Sequence, residues 1–269
     1  MRKLIIKTSI VIAFAALILL LIFGSALNQF YQPLSSLDSA KAFNVRSGDS
    51  LSVIAGGLVD EQILSSSDLF RFMAWWRGVD ALLQAGEYQF GPGNSQADIL
   101  QMLVDGEVLQ YRITFIEGWR FSDVMGAMSS APGLKTTLDG ITPEALAANL
   151  GLEVSHPEGM LHPDTYFYEW GTTDLELLRR ARERQEVIVK SQWEKRLGAL
   201  PFTNSYEALT LASIIEKESN AQSERGQIAG VFIRRLEQGM RLQSDPTVIY
   251  GLGREFDGDL TRQQLQTPT

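Results

Sequence analysis

The apolar segment near the N terminus constrains this chain more than any other feature. Ser9–Leu27 is a run of nineteen residues without a charged side chain. A helix of that length, at about 1.5 Å per residue, just crosses a bilayer core roughly 30 Å thick. Arg2, Lys3 and Lys7 precede the run, and positive charge favours the cytoplasmic side. The sequence therefore predicts a cytoplasmic tail at residues 1–8, a single transmembrane anchor at residues 9–27 and an exported remainder.

A cleaved signal peptide is the alternative interpretation of this segment. Gly24, Ser25 and Ala26 are small residues of the kind found at cleavage sites. The run is long for a signal-peptide core, which favours the anchor. Both interpretations carry the body of the chain across the membrane.

Composition limits the classes of function that the exported part can have. The net charge of −8 makes nucleic-acid binding a poor hypothesis, because that function needs a basic face. The chain has no cysteine, which excludes disulfides and cysteine metal sites. His156 and His162 lack a third ligand at a suitable spacing. We therefore expect no metal.

Hydrophobic periodicity divides the exported part into two domains of an α+β protein. Residues 28–42 contain Pro33 and several serines and predict a linker. Residues 43–110 predict a small strand-helix-helix-strand module, with a helix cap at Asp49 or Ser50. Residues 111–269 predict a mainly helical domain with a few strands. The second helix of the small module, Asp68 to Trp76, has one apolar stripe made of Leu69, Phe72, Met73 and Trp76.

A glutamate stands at the end of another apolar stripe. Leu211, Ile214, Ile215 and Glu218 fall at positions i, i+3, i+4 and i+7 of a helix, and such a stripe normally faces the core. A carboxyl group there loses hydration, which favours its protonated form. A general acid needs that property, so Glu218 is a candidate catalytic residue.

Two structural interpretations of Glu218 stay open beside the catalytic one. Its side chain can end the helix and point to water, or pair with an arginine such as Arg225. Glu216 lies about 200° away around the helix. We expect Glu216 in solvent, paired with a neighbouring lysine or arginine.

Several motifs together resemble the endolytic murein transglycosylase family. They are Glu117-Gly118-Trp119, Pro163-Asp164-Thr165-Tyr166, Leu211 to Glu218, Ser223-Glu224-Arg225, Val231-Phe232-Ile233 and Arg241 to Gly251. The likeness runs over nearly the whole exported chain and is most specific from Gln243 to Gly251. The resemblance implies that Glu218 is the essential catalytic residue. It also implies that the glycan-binding cleft includes Gln243, Asp245, Thr247, Tyr250 and Glu117.

The reaction that this resemblance implies needs one carboxyl group. In a lytic transglycosylase the C6 hydroxyl of muramic acid attacks its own C1 and forms a 1,6-anhydro ring. One glutamate protonates the leaving oxygen and then accepts the hydroxyl proton. Because the nucleophile is tethered, no second enzyme group is needed, whereas ordinary glycosidases use two carboxylates.

The resemblance also implies a cellular role and a location. The chain would cleave the MurNAc-GlcNAc bond of nascent peptidoglycan strands, limit their length and contribute to cell-wall biogenesis and cell shape. Its partners would be the glycan strands and the peptidoglycan synthases. The resemblance implies no diffusible cofactor. It would be a single-pass inner-membrane protein with a cytoplasmic N terminus and a periplasmic catalytic domain.

The opening of the small module, Phe43 to Leu51, resembles the start of a LysM domain, a module that binds strands containing N-acetylglucosamine. A turn with a helix cap explains Gly48 and Asp49 equally well.

Local structure likewise offers alternatives for two of the motifs. Asp245 and Pro246 suit an N-cap and a first helical position, and Trp119 suits core packing.

The family resemblance predicts that the catalytic domain is incomplete, because family members usually continue beyond Thr269.

Two alternatives to a lytic transglycosylase remain. One is a non-catalytic, membrane-tethered glycan-binding protein in which Glu218 is structural. The other is a hydrolytic muramidase, which requires a second carboxylate near Glu218.

Overall fold

The computed structural model describes residues 2–219 and 221–266. The helices, in chain order, are α1 Arg2–Tyr31, α2 Leu51–Asp60, α3 Asp68–Trp76, α4 Gln96–Asp105, α5 Phe121–Ser129, α6 Pro143–Asn149, α7 Asp174–Glu194, α8 Ser205–Glu218, α9 Gln222–Glu237, α10 Asp245–Leu252 and α11 Arg262–Gln266. The strands are β1 Lys41–Val45, β2 Gly86–Phe90, β3 Gln110–Thr114 and β4 Thr165–Glu169. They form two two-stranded sheets, β1-β2 and β3-β4. The predicted α+β class is confirmed.

The chain divides into two compact units. The first comprises Met1–Tyr111 together with Glu169–Gly171. The second comprises Arg112–Tyr168 together with Thr172–Thr269. The terminal residues 267–269 lie outside the described part of the chain.

Helix α1 contains the predicted anchor and continues past it. Its segment Ile12–Tyr31 is long and apolar enough to cross a membrane, with a mean hydropathy of 2.1. The helix extends beyond Leu27, through residues predicted as linker. The physical reason is Phe30, which is fully buried in the core of the first unit with Leu27 packed against that core. The end of the apolar helix is therefore part of a folded module.

The first unit has the predicted strand-helix-helix-strand order. Strand β1 pairs antiparallel with β2, with Phe43 opposite Tyr88. Alternation directs Phe43 and Val45 inward. Ser50 caps α2 by accepting a hydrogen bond from the Val53 amide at 3.4 Å, one of the two predicted caps. The core of this unit is completed by α2, α3, α4 and the end of α1.

The buried face of α3 differs from the predicted one. Phe70, Met73 and Ala74 are buried. Met73 of the predicted stripe therefore packs as expected, whereas Phe72 and Trp76 are exposed. Both sets follow helical spacing, so periodicity alone cannot choose between them. The tertiary contacts of the unit decide which residues pack, and Phe72 and Trp76 remain at the surface.

The second unit is built around β3, β4 and α7. Phe115, directly after β3, and Tyr166 in β4 are buried, with ring centroids 5.1 Å apart. Helix α7 buries Leu177, Leu178 and Ala181. Its capping box joins Thr173 and Glu176, each side chain bonding the other's backbone amide. Helix α7 also contacts α8, and α8 contacts α10.

Candidate active site

Helix α8 carries the candidate acid at its last residue. Its N-cap, Asn204, accepts a hydrogen bond from the Glu207 amide at 3.0 Å. Leu211 is buried, but Ile215 is only half-buried and Glu218 is exposed. The prediction that Glu218 lies on a buried face is therefore wrong. The apolar stripe loses its cover towards the helix end, which leaves Glu218 accessible.

Glu216 forms an ion pair with Arg225. Its Oε2 lies 2.7 Å from Nη2 of Arg225, and both side chains are half-buried. The predicted pairing of Glu216 with a cation is confirmed, and the alternative pair of Arg225 with Glu218 is not formed. The pair joins the end of α8 to the first turns of α9. It holds the backbone that presents Glu218.

Glu218 accepts a hydrogen bond from Ser244, the residue that starts α10. The distance from Ser244 Oγ to Glu218 Oε2 is 2.8 Å, and Ser244 is only 3% exposed. A buried hydroxyl thus orients an exposed carboxyl group. Ser244 is also the N-cap position of α10, with Asp245 and Pro246 as the first two helical residues. The predicted N-cap at Asp245 is therefore wrong by one residue, although a proline in the first turn agrees with the helix start.

Gln243 has an unusual backbone conformation directly before Ser244. Its φ is 53°, in the left-handed region that side chains with a Cβ disfavour, at a cost of order 1 kcal/mol or more. The Arg235 guanidinium donates a hydrogen bond to the carbonyl of the preceding Leu242. Strained residues of this kind cluster at functional sites. Gln243 therefore remains a candidate for substrate contact.

A cleft of about 1120 Å³ lies within the second unit. Its walls are the loop Glu117–Arg120 and parts of α7, α8 and α10. Three predicted site residues line it, namely Glu117, Thr247 and Tyr250. Three others, Glu218, Gln243 and Asp245, lie outside its lining.

Hydrogen bonds join Glu218 to the rim of this cleft. Thr247, which lines the cleft, donates from Oγ1 to the Ser244 carbonyl at 2.7 Å. Ser244 in turn donates its hydroxyl to Glu218. Glu218 is thus linked to a cleft residue, Thr247, through two hydrogen bonds of Ser244.

Glu158 and Arg120 belong to the cleft although the sequence did not single them out. Glu158 accepts hydrogen bonds from the Phe121 amide at 3.0 Å and from the Tyr250 hydroxyl at 3.3 Å. The Arg120 guanidinium carbon lies 5.8 Å from the Tyr250 ring centroid. Burial, followed by the charge of Glu158, raises the pKa of Tyr250. Tyr250 therefore keeps its proton and can donate it in a hydrogen bond.

The Glu117-Gly118-Trp119 motif packs beside the last turn of α8. Gly118 has a φ of 75°, and a Cβ built there would lie 3.6 Å from Glu216 Cγ and 3.8 Å from Lys217 Nζ. Trp119 is half-buried and lines the cleft. The arrangement places a half-exposed aromatic face where a sugar ring could stack, while part of that side chain packs against protein.

The two histidines take part in local hydrogen bonds. His156 Nδ1 accepts from the Glu158 amide at 3.1 Å, and His162 Nδ1 lies 3.1 Å from Gln185 Oε1. Across residues 2–219 and 221–266, no group of three or more His, Asp or Glu side chains is arranged to hold a metal ion.

Two relatives with an assigned activity resemble the chain. The endolytic murein transglycosylase of Bacillus subtilis (strain 168) is 29% identical over 235 residues, covering 80% of this chain and 64% of that protein. The endolytic murein transglycosylase of Streptococcus pneumoniae serotype 2 is 26% identical over 216 residues, covering 69% and 38%. The chain thus spans less than two thirds of the length of either relative.

A crystal structure of a YceG-like protein from Listeria monocytogenes is also similar. It is 24% identical and has a TM-score of 0.45, covering 86% of this chain and 81% of that one. At that score the likeness supports no structural argument.

The family assignment comes from a match that covers most of the chain. The model of the YceG-like family matches residues 43–269, which contain the strand-helix-helix-strand module, the cleft and Glu218. The relatives named as endolytic murein transglycosylases confirm the resemblance carried by the sequence motifs. The chain belongs to the YceG-like family.

Proposed function

We propose that this chain is an endolytic lytic transglycosylase acting on peptidoglycan, with Glu218 as its acid. The observation that carries the proposal is the family match over residues 43–269. Relatives bearing that name align with 80% and 69% of the chain. The position of Glu218, exposed at the end of α8 and oriented by buried Ser244, supports its role.

The exposure of Glu218 suits a polymeric substrate. An enzyme that cuts within a strand must bind the strand from its side, so its acid has to be reachable from an open surface. Glu218 meets that requirement. We assign Gln243 and Asp245 to contacts with the strand beside Glu218. Glu117, Thr247, Tyr250 and Trp119 would bind adjoining groups in the cleft.

The proposed reaction consumes no water. The Glu218 carboxyl gives its proton to the glycosidic oxygen as the bond from C1 of MurNAc to GlcNAc breaks. The C6 hydroxyl oxygen of the same MurNAc bonds to C1, and its proton returns to the Glu218 carboxylate. A tethered hydroxyl gains effective molarity, so one protein carboxyl group suffices.

We also propose a location and partners for this chain. The basic residues Arg2, Lys3 and Lys7 before the apolar helix favour a cytoplasmic N terminus and a periplasmic body at the inner membrane. The first unit would bind glycan as a LysM-like module. Peptidoglycan synthases are the partners that the family resemblance implies, with cutting as the limit on strand length.

Mass spectrometry of peptidoglycan treated with the chain tests the proposal. The comparison uses the unchanged chain, Glu218→Gln, and Glu183→Gln as a matched control at an exposed position of α7. The unchanged chain and the control should release internal fragments ending in 1,6-anhydroMurNAc. Glu218→Gln should lower the rate by roughly 10²- to 10⁴-fold, as loss of a general acid does.

Two results of that experiment would replace the proposal. Free reducing ends would identify a hydrolytic muramidase. No product from any of the three forms, tested in the full-length protein as well as in this chain, with retained binding to glycan strands in sedimentation, would identify a binding protein in which Glu218 is structural.

A further inference from the structure

Three exposed aromatic side chains cover one face of α3, which we call the α3 aromatic patch. Phe72, Trp75 and Trp76 are 40%, 63% and 61% exposed and follow the spacing i, i+3, i+4. The Phe72 ring lies 6.2 Å from Trp75 and 6.1 Å from Trp76, centroid to centroid. The opposite face of α3 already packs in the core of the first unit. A cluster of large exposed aromatics marks a surface that contacts something else.

The patch lies beside the apolar helix α1. The centroid of the Trp76 ring is 6.1 Å from that of Phe23. Phe23 belongs to the apolar segment Ile12–Tyr31 and stands eight residues before its end. At about 1.5 Å per residue, that is roughly 12 Å along the helix axis. Trp76 therefore reaches alongside the apolar segment rather than beyond it.

Polar partners mark the end of the same segment. Arg77, next to Trp76, donates from Nη2 to the Tyr31 hydroxyl at 2.7 Å. Its guanidinium carbon also lies 5.2 Å from the Phe30 ring centroid. Tyrosine and arginine at the ends of membrane helices lie at the level of the lipid headgroups. Along α1, the contact with this end of α3 is therefore polar at Tyr31 and aromatic at Phe23, which lies further into the apolar segment.

We propose that the α3 aromatic patch inserts into the interfacial layer of the bilayer that α1 crosses. Tryptophan favours this layer, because its ring is apolar and its N–H can bond to water or headgroups. Phe30, buried in the core, fixes the first unit to the end of α1. The first unit therefore rests on the membrane surface and is not suspended above it on a flexible tether. This inference depends on the proposed anchoring by α1.

Single-cysteine labelling tests the depth of the patch, because the chain contains no cysteine of its own. A nitroxide is attached to Trp75→Cys in the full chain, reconstituted in vesicles of phosphatidylcholine and phosphatidylglycerol. Collision rates are measured with oxygen, which concentrates in lipid, and with a water-soluble nickel complex. Leu20→Cys in the apolar segment is the lipid reference. Val53→Cys on α2, an apolar side chain that is 57% exposed, is the matched surface reference.

The expected result is an oxygen-to-nickel ratio at Trp75 that lies between those at Leu20 and Val53 and well above that at Val53, because the interfacial layer is shallower than the middle of the apolar segment. A ratio at Trp75 equal to that at Val53, with Leu20 in lipid, would overturn the inference and leave the anchor intact. Protection of that water-exposed Trp75 label by added glycan strands would instead assign the patch to sugar. If the label at Leu20 were exposed to water, both the proposed membrane anchor and this inference would be contradicted. Phe72→Cys repeats the measurement if Trp75→Cys fails to fold.

Discussion

Ser244 acts on the proposed reaction only through Glu218, so it is a positioning residue. We expect Ser244→Ala to lower the cleavage rate roughly tenfold, because a hydrogen bond to a charged group contributes about 1.5 kcal/mol or more. The turnover number should fall while KM stays nearly unchanged. Steady-state kinetics on purified glycan strands would measure both.

The variant Ser244→Thr tests whether Ser244 positions Glu218 or only supports folding. Ser244→Thr keeps the hydroxyl and should recover most of the rate. Ser244→Ala should also leave the helical circular dichroism of the chain intact. If Ser244→Ala retained the full turnover number, the hydrogen bond at 2.8 Å would have no part in orienting Glu218.

At the scale of single elements, the start of α7 depends on a buried carboxylate. Asp174 is almost fully buried and accepts hydrogen bonds from the Thr137 amide at 2.9 Å and the Leu138 amide at 3.1 Å. We expect Asp174→Ala to lower the free energy of unfolding of the second unit by about 3 kcal/mol. The physical reason is that two amides lose their acceptor in a buried place.

Urea unfolding in detergent, followed by circular dichroism, would measure that change. Asp139→Ala removes an exposed carboxylate from the same loop region and is the matched control, with an expected change below about 0.5 kcal/mol. Similar losses for both variants would mean that the bonds from Asp174 do not hold α7 to this loop.

At the scale of the whole molecule, one buried tyrosine in each unit links stability to alkaline pH. Burial raises the pKa of Tyr88 in the first unit and of Tyr166 in the second to about 12, above the ordinary tyrosine value of 10.0. Below pH 10 both folded and unfolded chains keep these protons, so the stabilisation is fully present. Between pH 10 and 12 the unfolded chain loses them first, and stability falls by up to about 2 kcal/mol for each tyrosine.

Unfolding at pH 8, 10 and 11, with tyrosinate absorbance recorded in parallel, tests this dependence. Tyr88→Phe removes one ionisable group and should reduce the loss between pH 10 and 11, although it also removes the hydrogen bond to the Gln84 carbonyl. If stability depended on pH in the same way in Tyr88→Phe as in the unchanged chain, Tyr88 would have the same pKa in the folded and unfolded states.

Much of the fold follows from the sequence alone because its signals act over a few residues. The apolar run in α1 depends only on composition. The caps at Ser50 and Thr173 bond to amides three residues ahead, and the alternation in β1 reflects the geometry of a single strand. The strand-helix-helix-strand order is predictable for the same reason.

Tertiary structure decided the features that depend on remote partners. Helix α3 has apolar residues on two faces, and only packing chose Phe70 and Ala74 over Phe72 and Trp76 for burial. The contact of Tyr250 with Glu158 joins residues 92 positions apart, which no local pattern reveals.

The candidate site also combines features that local sequence predicts with features that depend on remote partners. The motifs predict Glu218 as the catalytic residue, which stays a prediction, whereas its exposure depends on where the protein ceases to cover α8. Its hydrogen bond depends on α10, which presents Ser244 from a distant part of the chain. Sequence determined the residue types and the local elements, because these rest on interactions between near neighbours. The tertiary structure decided burial and pairing, because these are set by whichever surfaces meet.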